Sequence, residues 1–334
     1  MRLVCPACRG FREGVFSSTE LDADFACPRC DTHWPALAVG HVRVPVLWGD
    51  PELGHRTAHA TRDLLANLQD IDGWLAGTND LQRTELATAL ATYAPAHWGP
   101  YAVPALPVTD LAWVREWAPA SADLPEGPVL VLGCGPGGEL PYLDLPDREL
   151  VALDANLALV GYAAALAAGK AVRLPWRRLP SRIESRPLDL PPHVRHVLAR
   201  TRLVCGDALD PPFAPESFAA VVALNLLDSV QDPALLLGQC EALLAPGGVL
   251  LLASPYHWQD AVTPPQHQLD RVLPADVPQQ QAMEQLVAGP GGLLPEMRLE
   301  RSADGIVWEV AVHARFSARY LLHVMRLRKS AATI

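Results

Sequence analysis

The chain has 334 residues, half of them hydrophobic and 19% charged, the balance of a globular protein long enough for one enzyme domain and an appendage. Its formal net charge of -10 supplies no overall field toward nucleic acid or anionic lipid. The opening MRLVCPACRG lacks the apolar stretch of a signal peptide, and no apolar run approaches the roughly 18 residues that span a bilayer. A cytoplasmic protein without membrane association is the expectation, with stiff loops from its 32 prolines.

In chain order, the first signal is a pair of CxxC units, Cys5-Pro6-Ala7-Cys8 and Cys27-Pro28-Arg29-Cys30. In a reducing compartment such spacing points to metal rather than disulfides, and four thiolates complete a tetrahedral zinc site with no position open for substrate. The zinc expected at Cys5, Cys8, Cys27 and Cys30 is therefore structural. Four unmetallated thiols, or a site in which His33 replaces Cys30, are the alternatives. Val15 and Phe16 read as strand material between the knuckles, and the chain continues through Trp34-Pro35-Ala36-Leu37 into Val42 to Leu47.

Residues 51 to 122 carry no catalytic signature. Thr61 to Gln69 and Leu81 to Tyr93 have apolar residues at helical spacing, with Thr61 and Asn79-Asp80 as expected N-caps. These helices, with Trp98, Tyr101, Trp113 and Trp117, are expected to join the knuckle to a larger domain and to cover one edge of its cleft. A residue division into 1–50, 51–122 and 123–330 follows.

The larger domain opens with Pro128-Val129-Leu130-Val131-Leu132, a buried parallel strand by its continuous apolar character. Gly133-Cys134-Gly135-Pro136-Gly137-Gly138 follows directly. Glycine there lets the backbone turn sharply and approach a ligand. A second strand, Leu150 to Leu153, ends in Asp154, a carboxylate placed to accept from both hydroxyls of a ribose. A third reaches Cys205-Gly206-Asp207-Ala208. A fourth, Phe218 to Leu224, ends at Asn225, and Asp232-Pro233 opens a helix to Leu244. Pro246-Gly247-Gly248 breaks that helix before the strand Val249 to Ala253, which runs into Ser254-Pro255-Tyr256-His257-Trp258. Cys134 and Cys205 have packing as their default role.

The ordered set of these elements resembles the class I S-adenosylmethionine-dependent methyltransferases. The resemblance implies an α/β, Rossmann-like sheet, mostly parallel with an antiparallel last strand, preceded by a zinc ribbon and a helical linker. It implies a cofactor site formed by Gly133, Cys134, Gly135, Gly138, Asp154, Asp207, Ala208 and Asn225, with Asp207 accepting from the adenine amine. Within that class, Leu224 to Asp228, Ser254 to Trp258 and Thr263-Pro264 resemble the methyltransferase domain of ovothiol biosynthesis. So do the long stretch between Asp154 and Asp207, with Arg173-Leu174-Pro175, and the end near His313-Ala314-Arg315. That likeness covers roughly residues 125 to 329 and implies methyl transfer to a nitrogen of a small, histidine-like metabolite. Tyr256 and His257 are the residues expected to position the acceptor, with His313 and Arg315 as lesser candidates. Ovothiol enzymes carry an iron-dependent half that a cysteine knuckle replaces here.

The first 50 residues resemble the zinc-binding activator subunit of tRNA methyltransferases, with Val44-Pro45-Val46-Leu47 as the shared apolar segment. A zinc site fused to such a domain also resembles bacterial rRNA guanine methyltransferases. Methylation of an rRNA or tRNA base is thus the second reading, and a non-catalytic protein that senses cofactor and docks a protein partner through the ribbon is the third. The acidic balance weighs against RNA. The C-terminal run Arg326-Leu327-Arg328-Lys329 is a candidate basic patch, read by default as a solvated end.

Overall fold

A computed structural model describes residues 1–12, 15–76, 80–143 and 145–331. The chain begins with short antiparallel hairpins, β1 (Gly10–Arg12) with β2 (Val15–Ser17) and β3 (Ala36–Val39) with β4 (Val42–Pro45). Helices α1 (Pro51–Ala66), α2 (Ile71–Leu75), α3 (Leu81–Trp98) and α4 (Trp113–Trp117) follow. Then come β5 (Val129–Leu132), α5 (Leu140–Leu143), β6 (Leu150–Asp154) and α6 (Leu157–Ala167). A hairpin of β7 (Arg173–Leu179) and β8 (Arg182–Pro187) leads to α7 (Pro192–Arg200), β9 (Thr201–Cys205) and β10 (Phe218–Leu224). Helix α8 (Pro233–Leu243), β11 (Leu244–Ser254), α9 (Gln279–Ala288), β12 (Met297–His313) and β13 (Phe316–Lys329) complete the chain.

Seven strands form the central sheet in the order β12-β13-β11-β10-β5-β6-β9. The neighbours from β11 to β9 are parallel, and β13 runs antiparallel to both β11 and β12. The expected Rossmann-like sheet with an antiparallel last strand is the observed one. Its parallel strands are buried on both faces, so they read as unbroken apolar runs whose residues alternate between two cores. Val129 and Val131 enter the core shared with α1, α3, α6 and α7. Leu130 and Leu132 enter the opposite core, shared with α8 and α9. Leu3, Phe25 and Trp34 from the cysteine-bearing segment join that second core.

The N-terminal segment covers the β9 edge of the sheet. Val46 pairs with Cys205 in a parallel bridge, Leu47 N–H donates to the Cys205 carbonyl at 2.7 Å, and Trp48 Nε1 donates to the Cys205 thiol at 3.1 Å. An open edge is thereby paired without a full strand.

Some expected boundaries move. Helix α1 starts at Pro51, ten residues before the expected cap Thr61, because Asp50 accepts from Glu52 N–H and proline fits the first helical turn. Thr61 is fully buried in mid-helix, on a face of small residues with Gly54, Thr57 and Ala58, which carries no strong apolar period. Asp80 caps α3 through Arg83 N–H; Asn79 lies outside the described residues. The C-terminal basic run is strand β13, not a solvated end. Arg326 and Arg328 bond Glu300, and buried Lys329 donates to the Glu241 and Leu244 carbonyls.

Candidate active site and metal centre

The carboxyl ends of β5, β6, β9 and β10 meet around a cavity of about 480 Å³. After β5 the chain turns at Gly133-Cys134-Gly135, where Gly135 holds φ +50°, a conformation that a side chain disfavours. Gly135 N–H donates to Asp154 Oδ2 at 2.8 Å, and Asn156 N–H donates to Oδ1 at 2.7 Å. These bonds join the tips of adjacent strands and orient the carboxylate along the cavity wall. Burial pushes the Asp154 carboxyl above the ordinary range, and the two backbone donors oppose that shift. Asn156 also caps α6, accepting from Ala158 and Leu159 N–H.

Asp207, exposed, and Ala208 line the cavity after β9, with Asp207 Oδ1 accepting from Leu209 N–H at 2.8 Å. Asn225 lines it after β10 at φ +54°, a left-handed position that asparagine tolerates. Six of the expected cofactor positions thus face one space: Gly133, Gly135, Asp154, Asp207, Ala208 and Asn225. Cys134 and Gly138 do not line it. Cys134 is fully buried behind the turn, and burial pushes its thiol well up, as it does that of Cys205.

Gly138 is backbone for a different purpose. A Cβ there would lie 2.9 Å from the His97 Cα and 2.5 Å from its Cβ. Only glycine lets α3 approach the turn this closely. Gly138 N–H donates to His97 Nδ1 at 3.0 Å, and Trp98 Nε1 donates to the Pro136 carbonyl at 2.9 Å. The cap helix is therefore bolted to the glycine turn. A Gly138→Ala variant is expected to push α3 away and to destabilise the chain by roughly 2–3 kcal/mol, as overpacking does, measured by urea denaturation.

This closeness brings in residues beyond the expected cofactor positions, Trp113 among them having been expected only as part of a helical cover. His97, Tyr93 and Trp113 from the cap, Glu139 after the turn and Trp308 of β12 all line the cavity. Glu139 is 3% exposed, with Oε2 at 3.2 Å from His97 Nδ1. Four buried atoms in this wall find no hydrogen-bond partner among the described residues: Glu139 Oε1, Asn225 Oδ1, Trp113 Nε1 and Trp308 Nε1. Orphaned donors and acceptors are costly unless something fills the space between them. Two acceptors and two indole donors left without partners in one cavity wall fit a polar, multi-ended ligand. The sequence signal was a carboxylate immediately after the glycines; nothing in the spacing linked it to residues 97, 113 or 308.

Tyr256 and His257 do not line the cavity. At φ +54° Tyr256 turns away from the strand end, and its hydroxyl pairs with His323 Nδ1 at 2.7 Å, with His323 Nε2 at 3.2 Å from Glu284. His257 N–H donates to Asp228 Oδ2 at 2.7 Å, and its ring sits 5.6 Å from that of Tyr320, which stacks on Trp308. Through Tyr320, His257 thus backs Trp308 of the cavity wall. His313 Nδ1 accepts from Arg315 N–H at 3.2 Å within the β12–β13 turn, a local turn contact.

The four cysteine sulfurs of residues 5, 8, 27 and 30 lie within 4.8 Å of one another. Cys5–Cys30 and Cys8–Cys27 are each 3.8 Å apart, the spacing of about 3.8 Å that a tetrahedron with Zn–S near 2.3 Å requires. His33 is outside this set, its Nδ1 held at 3.1 Å from the Asp31 carbonyl.

Residues 130–252 match the family model described as a methyltransferase domain. That match spans the sheet from β5 to β11. No curated protein matches the chain. Among solved structures, magnesium protoporphyrin IX methyltransferase from Synechocystis PCC 6803 is 13% identical, over 81% of this chain and 97% of that one, at a TM-score of 0.38. A 16S rRNA (adenine(1408)-N(1))-methyltransferase variant from Catenulisporales acidiphilia is 16% identical, over 67% and 92%, at 0.40. A methyltransferase-like protein from Bacillus halodurans C-125 is 17% identical, over 66% and 99%, at 0.37. Among the described residues, no helix is long and apolar enough to cross a membrane.

Proposed function

We propose that the chain transfers a methyl group from S-adenosylmethionine to a nitrogen of a small, histidine-like metabolite. The observation that carries the cofactor reading is the convergence of the Gly133–Gly135 turn, Asp154, Asp207 and Asn225 on one cavity at consecutive parallel strand tips. In this reading Asp154 takes the ribose hydroxyls and Asp207 the adenine amine. The cofactor, when bound, supplies an electrophilic methyl on its sulfonium. The chain's own part is to hold a neutral nitrogen in line with that methyl in a dry pocket, an effect worth several kcal/mol.

The small-molecule reading rests on the lining. Among the described cavity residues there is no lysine or arginine, while Glu139, Asp154 and Asp207 are carboxylates. Tyr93, Trp113 and Trp308 give flat apolar walls for an aromatic ring. The arginines of the β7–β8 hairpin are engaged within the chain. Arg178 pairs with Glu184, Arg173 donates to the Ser185 carbonyl, and Arg186 lies 4.2 Å over Trp176. An RNA backbone would need such cations free. Incubation with methyl-labelled cofactor and separate metabolite and RNA fractions tests the reading. Label is expected in the metabolite fraction; label in RNA overturns it in favour of base methylation, and cofactor binding without transfer favours a sensing protein.

The unpartnered Oε1 of Glu139 is assigned to the cofactor's ammonium, opposite the adenine end. Glu139→Gln is expected to weaken S-adenosylhomocysteine binding about tenfold, the loss of one charge-assisted hydrogen bond. Methylthioadenosine, which lacks the ammonium, is expected to bind the variant and the parent alike in a calorimetric titration. Zinc is the metal we assign to Cys5, Cys8, Cys27 and Cys30, in a structural role.

A further inference from the structure

The loop that holds Asp207, Ala208 and Leu209 in the cavity wall is short, and its ends are gripped by the N-terminal segment rather than by the sheet alone. At one end Cys205 takes the Leu47 N–H and the Trp48 indole. At the other, Val4 N–H donates to the Pro212 carbonyl at 3.0 Å. Arg9 completes the grip, its guanidinium donating to the carbonyls of Asp210 and Pro211 and lying 2.5 Å from the Asp210 carboxylate. The Arg9 side chain is 6% exposed although its partner carboxylate is 67% exposed, so the guanidinium is committed to this loop.

Val4 and Arg9 are the immediate neighbours of Cys5 and Cys8. The atoms that fix the first CxxC turn on a metal also fix the two residues that hold the loop. From this we infer that the cysteine cluster serves the active site: it places Arg9, a positioning residue, so that the 207–209 loop is preformed for the adenine end of the cofactor. Metal occupancy then sets cofactor affinity and not stability alone. The inference rests on the cofactor reading above, since it assigns a purpose to that site's adenine loop.

The mechanism is preorganisation. A loop that must be ordered on binding subtracts that entropy from affinity, and one ordered beforehand does not. Arg9 contributes a fork of donors to adjacent carbonyls; lysine offers a single point charge and cannot span both. Removing the fork leaves the carbonyls of Asp210 and Pro211 to water and frees the loop between Gly206 and Pro212.

The test titrates the full chain, Arg9→Ala and Arg9→Lys with S-adenosylhomocysteine and, separately, with adenosine, while bound zinc is counted by chelator release. Wild-type binding of S-adenosylhomocysteine checks the cofactor reading by itself. The wild-type-to-variant ratio checks the inference. Arg9→Ala is expected to retain one zinc per chain and to lose about tenfold in affinity for both ligands, with Arg9→Lys between. Amide exchange over residues 206–213 is expected to rise in Arg9→Ala. Unchanged affinity in an Arg9→Ala chain that keeps its zinc overturns the inference. So does a loss confined to S-adenosylhomocysteine with adenosine unaffected, because the adenine loop is then not the part disturbed. Should Arg9→Ala fail to fold, the Arg9→Lys ratio decides between the same outcomes.

Discussion

Replacement of Asp154 by alanine is expected to lower affinity for S-adenosylmethionine by a factor of about 100 to 1,000. Two losses add. The ribose hydroxyls lose a charged acceptor, worth about 1.5–3 kcal/mol for a hydrogen bond of this type. The backbone donors of Gly135 and Asn156 lose their partner as well, at 2.8 and 2.7 Å in the intact site. Because those donors tie the glycine turn to the β6 tip, the turn itself is expected to loosen. Asp154→Asn keeps one acceptor oxygen and is expected to fall between alanine and the parent. Calorimetry with S-adenosylhomocysteine reads the affinity. Wild-type affinity in Asp154→Ala would show that the ribose is held elsewhere and would undo the placement of the cofactor.

The second large effect concerns the metal. Purified chain is expected to carry one zinc, and Cys27→Ser to carry none. Cys27 is buried, 1% exposed, and its neighbours in the second core include Leu3, Phe25 and Trp34. Structural zinc binding in small modules is worth about 10–16 kcal/mol, and in such modules it is also folding energy. Loss of the ion is therefore expected to detach the apolar segment from the second core and leave that face of the sheet's β9 edge to water. A net loss of roughly 5 kcal/mol in a chain of this length lowers the thermal midpoint by about 10 °C. Scanning calorimetry with and without a tight chelator measures it; a Cys27→Ser protein that melts with the parent would remove the structural role.

How much of this was legible beforehand depended on the kind of signal. The strand-turn units 129–135, 150–154 and 203–208 were readable because buried parallel strands are continuous apolar runs and their tips carry glycine or a carboxylate. The cysteine cluster was readable because two CxxC units leave few alternatives. Contacts made across long separations were not. His97 reaches Gly138 over 41 residues, and no local pattern marks it. The expected acceptor residues Tyr256 and His257 followed from their position after a strand tip, but strand-end position does not fix side-chain direction. A left-handed turn at Tyr256 sends that ring to His323 instead. The start of α1 carries little signal because its buried face is built of the small residues Gly54, Thr57, Ala58 and Thr61, which pack against Pro35, Val46 and Gly161 of α6 without an apolar stripe.

The N-terminal grip has a bearing on how the chain is made. Arg9 is synthesised some 200 residues before the carbonyls it binds, the Arg9–Pro211 separation being 202. Leu3, Phe25 and Trp34 emerge from the ribosome with no surface to cover until β9 and Phe213 exist. Early metal capture would keep those side chains gathered through that interval. A nascent chain starved of zinc would instead present them to chaperones for most of its translation.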